Sequence, residues 1–340
     1  MAIKVYATTD AEVKKHWDEK VMRETQKMTY FNKFESKDGS SIIFAKDKLK
    51  NDKGDKITFV LTKKLNEEDY KEEGQTMTGN EQSLDSFTDS VELKRRRMAV
   101  AYEGGLSEQR VVFEISDESE RALKEAFAGM LDQWYFTELY KGTPSKIFLI
   151  NEPASVPTTT GAIPSGLTAT MLLTPKAISY IKTGALTGWN RTQEPFKPIM
   201  IKGKPHMVLL THPDALFDLK QNSQYEQYLR EAERRGPENP LFEGSIAIID
   251  GVVIHESDRC FISKKGGVGG NVPYVKALLL GQNALVKADG KREEIKMETR
   301  DYDEITGYCA RIIRGVKRTT FDSKDWACAQ ILMARTAVSD

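Results

Sequence analysis

The stretch 117–141, DESERALKEAFAGMLDQWYFTELYK, carries the clearest periodicity in the chain. Leu123, Phe127, Met130 and Trp134 recur at three- and four-residue steps, with Ala126 and Leu131 beside them, which is the spacing of one face of an α-helix. Ser116 and Asp117 are capping residue types, Glu118 and Glu120 suit the positive end of the helix dipole, and Gly142 follows the last turn. At about 1.5 Å per residue such a helix is about 36 Å long, whereas an ordinary globular helix has about 11 to 12 residues. A helix of that length reads as the spine of a domain.

Upstream of it lies a segment of a different kind. Ile42-Ile43-Phe44 is a short apolar run; Ile57, Phe59 and Leu61 alternate with polar residues, as do Val91 and Leu93. Period-two patterning, with turn residues at Asn51-Asp52 and Lys53-Gly54-Asp55, predicts the strands of a hairpin. Residues 66–90 form a polar stretch too long for an ordinary loop in a compact domain, so it reads as disorder or as a projecting functional arm. Its charge comes in blocks. Seven Lys face three Asp over 46–64, nine acids face Lys71 over 66–92, and Lys94-Arg95-Arg96-Arg97 follows. One reading is a solvated surface. The other is an acidic arm, carried by Glu67, Glu68, Asp69, Glu72 and Glu73, that meets a basic surface on another subunit and sets register. The quartet Lys94–Arg97 has little of the aromatic interleaving that nucleic-acid binding uses, and on a strand its side chains would point to both faces. Pairing between or within subunits suits it better. Earlier still, Thr9 and Asp10 can cap a helix whose stripe is Val13, Trp17, Val21 and Met28. That stripe docks on its own domain or on a neighbouring chain, with Trp17 as the contact candidate in the second case.

Downstream, a Pro/Thr/Gly-rich crossing at 153–166 leads into a mixed α/β region. Residues 176–182 read as helix, and 199–201 with 207–210 as a hairpin around Lys202-Gly203-Lys204. Thr211-His212-Pro213-Asp214 opens a helix with Pro at its first position, and residues 225–235 read as a further helix. The strongest hairpin signal is 246–255, turning at Asp250-Gly251. Strands follow at 277–280 and 311–321, with a last apolar run at 326–333.

Composition sets the outer bounds. The 340 residues are 39% apolar and 29% charged, with 50 basic and 50 acidic residues. That length suits about two domains with a sizeable core. A net charge of zero gives no bulk field towards DNA or an anionic membrane, and it does not oppose self-association. Cys260, Cys309 and Cys328 show no CxxC spacing, as expected for free thiols in a reducing compartment. No run approaches a membrane span and no signal peptide is evident, so a soluble protein made in a cytoplasm is expected. His16, His206, His212 and His255 fall in no metal or catalytic spacing, and each reads as structural. Gly266-Gly267-Val268-Gly269-Gly270 lacks the lysine, hydroxyl and helix start of a phosphate loop, and reads as a flexible or closely packed surface loop. No catalytic residue, metal site or cofactor emerges, and an enzyme is not expected.

The order of parts resembles the major capsid protein of tailed double-stranded-DNA phages, the HK97-like fold, and the local wording is similar to the N4-like branch. The matching stretches are Gly54–Phe59, Thr78–Glu81, Leu106–Arg110, Thr211–Asp214, Asn239–Phe242, Gly251–Glu256, Ala277–Gly281 and Gly315–Arg318. The fold class implied is α+β. Residues 1–40 would be the N-arm, 41–95 the extended E-loop hairpin, and 96–189 the P-domain with its spine helix. Residues 190–300 would be the A-domain, and 301–340 the return to P-domain strands and a C-terminal segment. The resemblance implies self-assembly through pentamers and hexamers into an icosahedral virion capsid, built in the host cytoplasm. Its partners would be its own copies, a portal protein, packaged double-stranded DNA without sequence-specific contacts, and a decoration protein. No long helical scaffolding segment precedes the arm, so a separate scaffolding protein is implied. No Lys–Asn pair can be assigned to covalent cross-linking. The alternative is the same fold used as an encapsulin-like nanocompartment around cargo protein.

Overall fold

The structure, a computed structural model, describes residues 28–46, 54–62, 78, 81–82, 86–103, 115–142, 146–150, 156–157, 166–191, 195–201, 203–223, 225, 245–267, 269–301, 304–321 and 324–336. The spine helix α1 spans Ile115–Tyr140. Ser116 and Asp117 therefore lie inside its first turn instead of capping it, and Asp117 with Glu118 still meets the positive dipole there. Leu123, Phe127, Leu131, Trp134, Tyr135, Phe136 and Leu139 are all buried, a wider stripe than a single row of contacts. Gly142 ends the helix region at φ +69°, with nothing within 4 Å of a would-be Cβ, so the backbone conformation alone favours glycine there.

Helix α1 lies against a five-stranded sheet of order β1-β2-β14-β15-β5. Its strands are β1 (Glu35–Ser36), β2 (Ile43–Lys46), β5 (Lys94–Glu103), β14 (Leu285–Arg300) and β15 (Ile305–Arg318). Tyr308, Ala310, Ile312 and Val316 of β15 face the α1 core, and alternate residues face away. The run Ile42-Ile43-Phe44, expected in a hairpin with Ile57–Leu61, is instead in this sheet. β2 pairs parallel to both β1 and β14, because Ile43 and Ala45 need the buried edge beside Leu285 and the α1 core. The hairpin consists of β3 (Lys56–Thr62) and β4 (Ser86–Glu92) alone.

The second sheet has nine strands, with a main path β10-β11-β9-β13-β18-β6-β7. These are β6 (Ile147–Leu149), β7 (Val156–Pro157), β9 (Lys204–Thr211), β10 (Ser245–Ile249), β11 (Val252–Glu256), β13 (Val272–Leu280) and β18 (Cys328–Ala334), with β8 (Ile199–Ile201) on β9 and β12 (Phe261–Gly266) on β13. One face packs on helices α2 (Pro175–Arg191) and α3 (Pro213–Lys220) through Met207, Leu209, Val275, Ala277 and Leu279. The intervening Val208, Leu210, Leu278 and Leu280 face the α1 core. Coverage on both faces is why these strands read as unbroken apolar runs. Beyond β15, the chain breaks at Thr319 into the short pair β16 (Thr320–Phe321) and β17 (Lys324–Asp325), so 311–321 is not one strand.

Several local expectations hold. β8 and β9 pair across Gly203, and β10–β11 turns on Asp250 (φ +47°) and Gly251 (φ +78°), the two left-handed residues a tight hairpin needs. His212 caps α3, its Nδ1 accepting from the Asp214 N–H at 3.3 Å, with Pro213 first in the helix. The helix expected from residue 176 extends to Arg191. Val13, Trp17 and Val21 of the expected N-terminal stripe, and nearly all of the helix expected at 225–235, lie outside the described residues, while Met28, the last member of that stripe, is exposed.

The chain enters this core through a 3₁₀ turn, Tyr30–Phe34. Phe31 and Phe34 are fully buried, and Phe31 packs on Tyr135 and Phe136 of α1. Asp132 accepts the Tyr30 and Phe31 N–H groups at 3.0 and 3.3 Å, supplying acceptors to amides at the start of the turn. Next to it, Glu35 meets Lys287 at 2.6 Å and takes a 2.9 Å hydrogen bond from the Tyr135 hydroxyl, and Asp289 meets Arg314 at 2.7 Å. This near-buried set joins β1, β14, β15 and α1 with its charges balanced, an arrangement that favours one register over its alternatives.

Candidate assembly surface

The β3–β4 hairpin is held at its base and open further out. In register, Ile57 faces Val91 and Phe59 faces Asp89. Ile57, Phe59 and Val91 bury themselves on Val286 and Ala288 of the five-stranded sheet. Two glycines permit that approach. A Cβ on Gly315 would sit 2.5 Å from the Glu92 carbonyl oxygen, and one on Gly290, at a bulge in β14, 2.6 Å from Leu93. Asp89 pairs with Lys317, and its Oδ2 takes hydrogen bonds at 3.3 Å from the Thr320 N–H and hydroxyl. Lys56 and Glu92 pair across the strands at 3.0 Å, which lowers the Glu92 pKa and raises that of Lys56. The outer face is polar apart from Val60, which is 64% exposed.

The basic quartet opens β5, the outermost strand of the five-stranded sheet among the described residues. Strand alternation divides it. Arg96 turns inward, its guanidinium 3.9 Å from the centroid of the Trp134 ring, a cation–π contact worth about 0.5–2 kcal/mol according to desolvation. Burial there lowers the Arg96 pKa, opposed by the nearby Glu138 carboxylate. Lys94, Arg95 and Arg97 are exposed, and none of them forms an ion pair among the described residues. Arg97, Ala99 and Ala101 of β5, Gly307 and Cys309 of β15 and Lys296 of β14 line a shallow hollow of about 500 Å³. Ala99, Ala101 and Gly307 contribute little side chain there, and Glu298 and Arg300 stand at its border. Glu67, Glu68, Asp69, Glu72, Glu73 and Trp17 lie outside the described residues.

Asp89, Lys317 and Thr320 were not legible as a group. Asp89 is one of nine acids in its block, and its partners stand more than two hundred residues away. The described histidines take structural places: His212 caps α3, His255 is fully buried between the Tyr30 and Phe34 rings, and His206 lies against the Gly251 carbonyl, while His16 lies outside the described residues. Burial pushes the Cys260 and Cys328 thiols up to about 12, which removes thiolate character at neutral pH. The start of the glycine-rich stretch is closely packed and its end is open: a Cβ on Gly266 would meet Tyr274 at 2.7 Å and Gly267 stands at φ +74° against Leu167, whereas Gly270 has nothing within 4 Å of a would-be Cβ. Among the described residues no three metal-ligating side chains gather, and no helix is long and apolar enough to cross a membrane.

Comparison with known proteins places this geometry. Residues 6–333 match the family described as phage capsid protein. The major capsid protein of Pseudomonas phage KPP25 is 26% identical over 357 residues, covering 94% of this chain and 92% of that protein. The solved capsid of Ralstonia phage GP4 superposes with a TM-score of 0.77 at 21% identity over 100% of both chains. That of cyanophage Pam1 gives 0.74 at 19% identity, over 92% of this chain and 93% of the other.

Proposed function

We propose, because the chain belongs to the phage capsid protein family, that its copies build the head by lapping the β3–β4 arm of each onto a neighbour. It is a major capsid protein with the HK97-like α+β fold, and its place is the virion shell. Pentamers and hexamers would close into an icosahedron around double-stranded DNA, and the chain would belong to the N4-like branch. In that assembly residues 1–40 act as the N-arm, 41–95 as the E-loop, 96–189 and 301–340 as the P-domain, and 190–300 as the A-domain. Assembly would draw on a separate scaffolding protein and a portal, and a decoration protein would bind from outside. The chain carries no catalytic step of its own in this reading.

One observation supports the contact we assign: Arg95 and Arg97 stand exposed on the outermost described strand of the five-stranded sheet and form no ion pair among the described residues, and Lys94, exposed beside them, has Glu92 of its own chain nearby without pairing to it. The same chain carries Glu67, Glu68, Asp69, Glu72 and Glu73 within one short stretch of its arm. Joining them between copies gives complementarity that fixes register, repeated in a head-to-tail contact that closes into rings. Zero net charge leaves little long-range repulsion to overcome. Electron microscopy of the expressed full chain, with and without a co-expressed scaffold, tests the reading. Reversing the five acids to Lys is expected to leave a folded chain that makes about tenfold fewer shells, the loss of about 1.4 kcal/mol per contact. Shells in normal yield from that variant would remove the arm acids from the contact, and a parent chain that stays monomeric throughout would overturn the assembly reading itself.

A further inference from the structure

The arm's attachment has a fulcrum and a strut. At the fulcrum, β4 and Leu93 rest directly on backbone at Gly315 and Gly290, where no side chain intervenes. Towards the end of α1 the hairpin is less closely packed. Ser90, Glu92, Lys94, Glu138 and Lys141 border a hollow of about 330 Å³ there, with Lys317 and Thr320 on its rim. Beside that rim, a small set of polar side chains centred on Asp89 ties the hairpin to the sheet corner. The Asp89 carboxylate, 12% exposed, reaches Lys317 at the end of β15 and both the N–H and the hydroxyl of Thr320 in β16. Lys317 also donates to the Ser90 carbonyl at 3.3 Å, and Asp89 Oδ1 accepts the Ser90 N–H at 2.8 Å. The carboxylate is therefore tied to both its own strand and the sheet corner beneath it.

We propose that Asp89 is a positioning residue for assembly: with Lys317 and Thr320 it sets the tilt of the β3–β4 arm before a neighbour is met, and so the curvature at which copies join. This rests on the reading of the chain as a self-assembling capsid subunit. Leverage is what makes one carboxylate matter. Seven residues at about 3.3 Å each make the arm about 23 Å long, so a swing of about 10° at the base moves its far end by about 4 Å. A displacement of that size separates any hydrogen-bonded or ion-paired contact further out. The Ile57–Phe59–Val91 cluster holds the hairpin down but is non-directional, whereas a carboxylate with fixed hydrogen-bond partners holds an angle.

The full chain is assembled as parent, Asp89→Asn, Asp89→Lys, and Asp89→Lys combined with Lys317→Asp. Particle diameters are read by electron microscopy and arm-base mobility by hydrogen exchange on the unassembled chain. Asp89→Lys is expected to reduce shells of parent diameter about tenfold in favour of open or mis-sized particles, matching loss of one partly buried charged contact. The charge-swapped pair is expected to recover most of the parent population, which a merely structural role in folding would not require. Asp89→Asn, close in shape, gives the same shift in weaker form and serves if the reversal misfolds. Parent-sized shells from both single variants would overturn the positioning role while leaving the capsid reading intact. So would failure of the charge swap in a chain that folds. A parent that forms no shells under any condition would overturn both.

Discussion

The nine-stranded and five-stranded sheets share the core of α1 yet are held by different means. In the first, β9, β13 and β18 are buried on both faces, and Val208, Leu209, Leu278, Leu279 and Ile331 are fully withdrawn from solvent. In the second, one face rests on α1 while the other carries the β3–β4 hairpin on Val286 and Ala288 and is only partly covered by the described residues, and charged groups fix it: Lys287 with Glu35, Arg314 with Asp289, Arg311 with Glu294 at 2.6 Å, and Lys317 with Asp89. A doubly covered sheet gains stability from area, about 25 cal/mol per Å² removed from water. It has little surface left to offer a partner. A partly covered sheet secures its own register through directional contacts and, on the reading proposed above, would leave surface for other copies. The two sheets are thus held by different physical means within one molecule.

Deleting core volume in the covered sheet is the strongest way to break this contrast. Leu279→Ala, at a fully buried position between α2, α3 and β9, is expected to cost about 3 kcal/mol in denaturant unfolding. A smaller effect is expected at the arm base. Gly315→Ala drives a methyl against the Glu92 backbone and should cost about 1–3 kcal/mol as an overpacked contact. Faster hydrogen exchange in residues 56–62 with the nine-stranded sheet unchanged would locate that strain. Equal loosening of both sheets would mean that they are one cooperative unit and the division is false.

The mildest test concerns Asp132, where the entering chain is tied to α1. Burial raises its pKa, opposed in part by the two N–H groups it accepts. In the native state it binds its proton up to a higher pH than in the unfolded chain, so the stability from this raised value is full below about pH 4 and is lost as pH rises through the folded value. Asp132→Asn keeps one acceptor and cannot titrate. It is expected to cost about 1 kcal/mol, with the gap to the parent widest in acid and narrower at neutral pH. Urea unfolding from pH 3 to 7 reads this directly, and a gap that widens with pH would show that ionised Asp132 stabilises the turn.

Much of this was legible without coordinates. Leu123, Phe127 and Trp134 announce α1 by spacing, Asp250-Gly251 announces a hairpin, and the alternation of Ile57 and Phe59 announces β3, because each signal is local. The apolar runs of β13 and β18 were visible as strands but not as neighbours. Their pairing, from Tyr274 with Ala334 to Leu280 with Cys328, is antiparallel across some fifty residues. Ile43 was visible as apolar, but nothing local says that it runs parallel to Leu285.

By itself the sequence determined the spine, the turns, the polarity of the arm and the absence of any recognisable catalytic spacing, since each depends on residues within a turn or two of one another. Tertiary structure alone decided which sheet each strand entered, which of the four cations of 94–97 turned inward to Trp134, and which acid of the arm became its strut. Those outcomes depend on surfaces that exist only once distant segments meet. The same Arg is a solvated charge on one side of β5 and a packed one on the other, and the local sequence does not say which side will be covered.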